Sequence, residues 1–188
     1  MPDRRNLKIN MKTAPALRTA RFAQLKPGDL FLWPGICVAL KVYDPHADEH
    51  VILPIGPSMP NDEMTYPTLI RDPGLTVASF GRDYCVRLPP DASGWESSEP
   101  APELTSLAVS DSGGVFIRCN HDTRPRQFRP CYVDLSSGEI CMVGTGRSGS
   151  FARPAGTLAY ATQWELLTCE DPPRTILSLP FVGDASAP

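Results

Sequence analysis

The sequence lacks the long apolar runs that cross a membrane. No apolar stretch approaches the roughly 18 uninterrupted residues that a transmembrane helix needs. Residues 1–21 are basic and contain no apolar segment of the kind found in signal peptides. The sequence therefore predicts a protein that is neither exported nor inserted in a membrane, and we expect a cytoplasmic location.

Paired cysteines and catalytic signature motifs are also missing. The chain has 6 cysteines, but none forms a C-x-x-C pair, so we expect free thiols in a reducing compartment rather than disulfides. The chain contains no G-x-S-x-G and no S-x-x-K motif, which removes two common signatures of serine enzymes. No cofactor and no resident metal are predicted.

Helix-forming segments are scarce because proline is frequent. The 188 residues include 21 prolines, and a proline inside a helix costs about 3 kcal/mol. Apolar residues instead alternate with period two, which is typical of strands. The alternation is clearest over residues 36–43, where Val38, Leu40 and Val42 share one face. The sequence predicts an all-β protein.

The chain divides into five segments by composition. Residues 1–20 carry mainly basic charges and predict a mobile arm. Residues 89–103 are rich in proline, serine and glutamate, which indicates an exposed linker. Two β units are predicted on either side of this linker, at 21–88 and 104–180, and residues 181–188 form a short tail.

The two predicted units resemble each other. In each, a strand and a hairpin are followed by an irregular loop and two further strands, the second of which carries an aromatic residue. The comparison matches residues 28–33 with 114–118, 38–43 with 131–135, 51–55 with 140–143, 75–78 with 157–160, and 84–88 with 164–167. We therefore predict two related small β units packed together, as SH3-like barrels or as a two-sheet sandwich. Internal duplication is one explanation of the likeness, and a coincidental β-meander is the other.

One pair of residues could support nucleophilic catalysis. Cys119 and His121 lie two residues apart, so on a strand both would point to the same face. This is the minimum requirement for a thiolate activated by an imidazole. The same residues could join a zinc site, although the spacing matches no common zinc pattern. The full set for such a site would be Cys119, His121, Asp122, Cys131 and Cys141.

An arginine-rich region forms the candidate anion or nucleic-acid site. Arginine and aromatic side chains together can grip phosphate and stack bases. The candidate residues are Arg124, Arg126, Arg129, Arg147 and Arg153. Against this, the chain has 18 basic and 21 acidic residues and a formal net charge of -3, whereas dedicated nucleic-acid binders are usually strongly basic.

Two short segments match known motifs in amino-acid sequence but not in predicted secondary structure. His46 to His50 fit H-x-x-E-H, a pattern of zinc proteases that requires a helix, but here they lie between two strands and predict a hairpin turn. Residues 144–149 fit G-x-G-x-x-G, but no helix is predicted after them, as a dinucleotide fold would need. That glycine-rich loop could still hold an anion through its amides.

Residues 22–41 carry a recognisable opening. They read F-x-x-L-x-x-G-D-x-F, followed by a lysine one strand later. This segment resembles the start of small uncharacterised bacterial and phage β proteins, which implies a bacterial small-β protein and no specific activity. The pattern also has a physical explanation, because Gly28 and Asp29 make the turn into the first strand. Three apolar side chains would bury the entry to that strand: Phe22, Leu25 and Phe31.

The first functional expectation is a noncatalytic protein-interaction or accessory module with a protein partner. The chain offers strand edges and long proline-rich loops but no convincing catalytic constellation. An anion or nucleic-acid binder that uses the arginine set is the first alternative. A hydrolase that uses Cys119 and His121 is the second.

Overall fold

The fold is known from a computed structural model, which describes most strands and their connections. The described residues are 17–33, 37–55, 68–69, 74–88, 95–96, 107–124, 127–142, 158–161 and 163–179. They form three separate antiparallel sheets, so the all-β prediction is confirmed. Among the described residues, the helical structure is a single 3-10 turn, Phe22–Gln24, and no helix is long and apolar enough to cross a membrane.

The first sheet has six strands in the order β1-β6-β2-β3-β4-β5. They are β1 (Arg18–Arg21), β2 (Leu30–Trp33), β3 (Cys37–Asp44), β4 (Glu49–Ile55), β5 (Thr68–Leu69) and β6 (Thr76–Gly81). The alternation that predicted β3 has the expected consequence on one face, where Leu40 and Val42 are fully buried. The opposite face is also covered, because Ala39 and Lys41 are buried too. β3 is therefore a central strand with a core on both sides.

The other two sheets are built mainly from the second half of the chain. The second sheet has the order β12-β11-β10-β9-β13-β8 and the third the order β15-β14-β7. The second sheet contains β8 (Trp95–Glu96), β9 (Leu107–Ser110), β10 (Val115–Arg124), β11 (Gln127–Asp134), β12 (Ile140–Met142) and β13 (Leu158–Ala161). The third contains β7 (Tyr84–Arg87), β14 (Trp164–Thr168) and β15 (Thr175–Leu179).

One large core joins all three sheets. It combines Leu40 and its neighbours from the first sheet with Ile117 from the second and Leu166 from the third. A smaller cluster lies on the first sheet around Phe31 and Ile52, and another lies on the second sheet around Tyr132 and Tyr160. Each six-stranded sheet therefore contributes to the shared core and also has a small cluster of its own.

The two six-stranded sheets have the same strand order. Read along the chain, β1 to β6 occupy the same places in the first sheet as β8 to β13 occupy in the second. The next strands, β7 and β14, pair with each other in the third sheet. The connections into these last strands are also alike, because residues 82–83 precede β7 and residues 162–163 precede β14. Duplication of the chain stays a prediction, but the shared topology is what it would produce.

The structure differs from the sequence-based description in three respects. The sheets formed by the described residues have free edge strands and do not close, so the SH3-like barrel form of the prediction is not observed. β1 takes in residues 18–20 of the predicted arm, and β8 lies inside the predicted linker. Finally, β7 from unit 21–88 pairs with β14 from unit 104–180, so the units share a sheet. The predicted tail, 181–188, lies outside the described residues.

Candidate functional site

The predicted arginine set is only partly placed by the structure. Arg124 lies at the end of β10 and Arg129 lies in β11. In the ladder between these strands, Arg129 is opposite His121, and for these three residues the structure describes the backbone alone. Arg126, Arg147 and Arg153 lie outside the described residues. The anion or nucleic-acid site therefore stays a prediction.

Cys119 lies in the shared core and not in a cleft. It is 0% exposed and directly opposite Cys131 on the neighbouring strand. The two Sγ atoms are 3.2 Å apart. Burial, and then the contact with Cys131, raises the pKa of the Cys119 thiol well above its usual value, which disfavours the nucleophilic thiolate. This position gives no support to the hydrolase alternative.

The sequence suggested metal ligands in two places, the set around Cys119 and the H-x-x-E-H segment. Within the part of the chain that the structure describes, no group of three or more histidine, cysteine or acidic residues could hold a metal ion. The H-x-x-E-H segment forms a hairpin, with residues 45–48 in the turn and Glu49 and His50 at the start of β4. The Asp44 Oδ1 atom accepts a hydrogen bond from the His46 amide at 2.9 Å. The prediction of a turn at this motif is confirmed.

The F-x-x-L-x-x-G-D-x-F segment and its lysine form a structural cluster. The Lys41 Nζ donates to the Leu25 carbonyl at 2.7 Å and to the Phe22 carbonyl at 3.1 Å, and it lies 4.7 Å from the centre of the Phe22 ring. Burial lowers the pKa of Lys41, and Asp29 acts in the opposite direction. The Gly28 amide donates to the Lys41 carbonyl. These contacts give Phe22, Leu25, Gly28 and Lys41 a role in the fold.

A second cluster, which we call the junction, joins the two sequence halves. It comprises residues 27–29, 82–84 and 135–139. The Arg82 guanidinium donates to the Pro27 carbonyl in the first half and to the Ser136 carbonyl in the second half at 2.9 Å. The Tyr84 hydroxyl donates to the Gly28 carbonyl at 3.0 Å. The junction therefore ties the turn before β2, the start of β7 and the turn between β11 and β12 together.

Gly138 lets the two halves approach closely at the junction. It is buried and has a φ of +75°. A side-chain carbon at this position would overlap the backbone of Pro27 and Gly28. The Tyr43 amide donates to the Gly138 carbonyl at 2.8 Å. Only glycine satisfies both this backbone conformation and this contact without strain.

An open cavity of about 580 Å³ lies beside the junction. On one side it is lined by Arg82, Tyr84, Cys85 and Val86, which run into β7. On the other side it is lined by residues 112–115, which end the turn between β9 and β10 and begin β10. Leu135 and Ser136 complete the lining. The cavity is therefore a groove along β7, with apolar walls, glycine backbone and one exposed cation.

The outer edge of β7 faces away from its partner strand. The Cys169 amide donates to the Asp83 carbonyl, and the ladder continues with Cys85 opposite Leu167. Because hydrogen-bonding directions alternate along an antiparallel strand, the backbone groups of Tyr84 and Val86 point away from β14. Among the described strands, β14 alone pairs with β7, so this edge is open along the groove.

The wild type should lose folding stability at alkaline pH, and replacing Tyr84 by phenylalanine should remove this loss. Burial raises the pKa of Tyr84 to about 12, with Arg82 acting in the opposite direction, whereas the unfolded chain titrates near pH 10. Above pH 10 the unfolded chain releases the phenolic proton while the native state retains it, so stability falls as the pH rises towards 12. The wild type should lose about 2 kcal/mol more than Y84F across this range.

Urea unfolding followed by circular dichroism at pH 9, 10, 11 and 12 would measure this difference. At pH 9 the variant should be less stable by about 1 kcal/mol, because it lacks the hydrogen bond to Gly28. The gap should close near pH 11, and at pH 12 the variant should be the more stable protein by about 1 kcal/mol. Parallel pH profiles for the two proteins would contradict the assignment.

The sequence alone does not single out the residues that form this site. Arg82 precedes the segment 84–88 that is predicted as a strand, and Gly138 lies between the predicted strands 131–135 and 140–143. The one available signal was the alternation of the apolar residues Tyr84 and Val86 next to the predicted linker, which indicates a strand near a domain boundary. Nothing in the sequence indicates that β7 crosses to the other unit.

The junction, the groove and the edge of β7 together define one surface. Backbone donors and acceptors lie along one side, half-buried apolar side chains lie beneath them, and Arg82 lies at one end. No protein-family model, no curated protein and no solved structure matches this chain. The functional inference therefore depends on this surface alone.

Proposed function

We propose that the protein is a noncatalytic protein-interaction module that binds an extended segment of a partner protein along the open edge of β7. The observation that supports this most directly is the edge of β7 beside the groove, which no other described strand occupies. An unpaired strand edge is a template for another strand, and many binding domains use it by adding a peptide to a sheet. The main-chain hydrogen bonds then supply affinity.

The groove gives the added strand room and a floor. Neighbouring strands lie about 4.8 Å apart, and the groove separates β7 from residues 112–115 of the second sheet. Tyr84 and Val86 are half-buried and pack against the shared core. Alternate side chains of a bound segment would therefore meet apolar surface, while the others would face solvent beside exposed Cys85 and Arg87.

Although β7 is only four residues long, it lacks proline and bulges, two features that commonly block pairing at a sheet edge. β7 contains no proline, and its ladder with β14 runs in continuous register from Tyr84 to Arg87. Natural edge strands are commonly protected by proline, bulges or inward charges. The absence of these features within β7 favours a binding edge over a blocked one.

A cytoplasmic location is part of the proposal. The cysteines whose side chains are described carry free thiols, and Cys85 and Cys169 are exposed. Exposed free thiols persist in reducing compartments. The arginine-based binder stays an alternative prediction, and a strong dependence of binding on salt concentration would favour it.

Selection from a phage-displayed library of random linear peptides would test the proposal. Immobilised wild-type protein should enrich peptides with alternating apolar residues. In a Val86→Pro variant, the outward-facing amide is removed while the ladder to β14 is retained, so enrichment should fall at least tenfold.

Thr19→Pro is the matched control for this experiment. Thr19 lies on β1, another edge strand, which pairs only with β6 among the described strands. The Phe22 amide donates to Leu75 across that ladder, so by alternation the Thr19 amide points outward. Thr19→Pro should enrich peptides like the wild type. No enrichment by the wild type, or equal enrichment by Val86→Pro, would contradict the proposed function.

A further inference from the structure

β7 and β14 occupy equivalent places in the two halves. Each follows the strand that completes its half of the matching sheet order, after a connection of two residues. Each begins with an aromatic residue, Tyr84 or Trp164, and continues to a second apolar residue two positions later, Val86 or Leu166. The outer edges of these two strands are therefore equivalent positions of the fold.

The chain itself fills one of these positions. β15 lies antiparallel to β14, with Leu177 opposite Leu166. The Thr168 amide donates to the Arg174 carbonyl, so by alternation along β14 the backbone groups of Leu166 point towards β15. A register shift between Leu166 and Leu167 brings Leu177 opposite Leu166. No described strand occupies the equivalent position beside β7.

Burial reflects the difference between the two edges. In β14, which is covered along its outer edge by β15, Trp164 is 2% exposed and Leu166 is 1% exposed. Their counterparts Tyr84 and Val86 belong to the same core but are only half-buried. A strand laid against β7 would remove this remaining apolar surface from water, which is the main favourable term in association.

We infer that the segment bound by β7 is an extended strand with the pattern of β15, antiparallel to β7 and with a leucine or isoleucine side chain opposite Val86. This inference rests on the proposed function and names the chemistry of its partner. In β15 the apolar Leu177 enters the core, and the next residue, Ser178, donates from its hydroxyl to the Glu165 carboxylate at 3.1 Å. The partner segment therefore has, as in β15, an apolar residue followed by a small polar residue, and it contains no central proline.

A synthetic peptide with the sequence of residues 174–179, carrying an N-terminal fluorophore, tests the inference. Fluorescence anisotropy with the full chain should show saturable binding. Val86→Pro should weaken binding at least tenfold, whereas Thr19→Pro should leave it unchanged. A peptide N-methylated at the position of Leu177 should also bind at least tenfold more weakly, and this control does not depend on how well a protein variant folds.

The outcomes separate the inference from the proposed function. If the phage library yields peptides but the β15 peptide does not bind, the inference is wrong and the proposed function stands. If neither binds, both are wrong. Peptide binding that Val86→Pro leaves unchanged would mean that the peptide replaces β15 or sits elsewhere, and it would overturn the inference. A dimer in light scattering that Val86→Pro dissociates would overturn it too, because a second copy would then occupy the edge.

Discussion

Replacing Gly138 by alanine should destabilise the protein by about 3 kcal/mol and loosen the junction. The added methyl group would overlap the backbone of Pro27 and Gly28, and backbone cannot move aside as the end of a flexible side chain can. Overpacking of this kind costs about 1–3 kcal/mol, and the left-handed conformation at φ +75° adds about 1 kcal/mol for a residue with a side chain. Urea unfolding at neutral pH would measure the change.

Gly113→Ala is the matched control for this substitution. Gly113 has a φ of +85°, but no atom lies within 4 Å of the position that its side chain would occupy. Its replacement should therefore cost only the conformational part, about 1 kcal/mol. Equal losses in the two variants would show that the close approach of the two halves at Gly138 contributes nothing to stability.

Replacing Lys41 by methionine should cost about 3 kcal/mol. Methionine keeps most of the apolar stem but cannot donate to the carbonyls of Phe22 and Leu25. Phe22 retains a hydrogen bond from the Leu25 amide, whereas the Leu25 carbonyl loses the donor described for it. Hydrogen bonds to charged groups contribute about 1.5–3 kcal/mol each, and a buried acceptor without a donor costs about 1–3 kcal/mol.

Lys26→Met provides the comparison for Lys41→Met. Lys26 lies in the same turn, but its side chain is exposed, so its replacement should change the free energy of unfolding by less than about 0.5 kcal/mol. Thermal and urea unfolding of the two variants would separate a specific role of the buried ammonium from a general effect of removing charge. A stability of Lys41→Met equal to that of Lys26→Met would contradict the role given to this cluster.

The all-β fold could be predicted because alternation is a local property of the sequence. β3 and β14 each show it within a few residues, and proline excludes helices over most windows. The order of the strands could not be predicted in the same way. β5 and β8 are two residues long, so they carry no recognisable period, and β9 begins close to the predicted linker.

Because some strands could not be predicted, the comparison of the two halves from sequence matched some strands that are not equivalent in the fold. The sequence matched β2 with the segment that forms β10, whereas the strand order places β2 and β9 in equivalent positions. For the last strands the two comparisons agree, since both match β7 with β14. A hairpin is recognised from its turn and its alternation, but its neighbours in a sheet are set by contacts between distant residues.

The candidate site depends on long-range contacts for the same reason. Arg82 has an ordinary sequence environment, and its role follows from carbonyls that lie 54 and 55 positions away. The buried Cys119 shows the reverse case, because an alternating pattern places a thiol on one face of a strand without saying whether that face meets solvent or core. The spacing to His121 could therefore suggest a reactive pair without indicating its burial.

The pairing of β7 with β14 has a consequence for synthesis. β14 follows β7 by about 80 residues, and at about 5–20 residues per second the ribosome needs about 4–16 s to make that stretch. During this interval β7 lacks the neighbour that β14 later provides, and its apolar residues are available to any chaperone or nascent chain nearby. Truncated products that end before β14 should therefore aggregate, even though all six strands of the first sheet are already present.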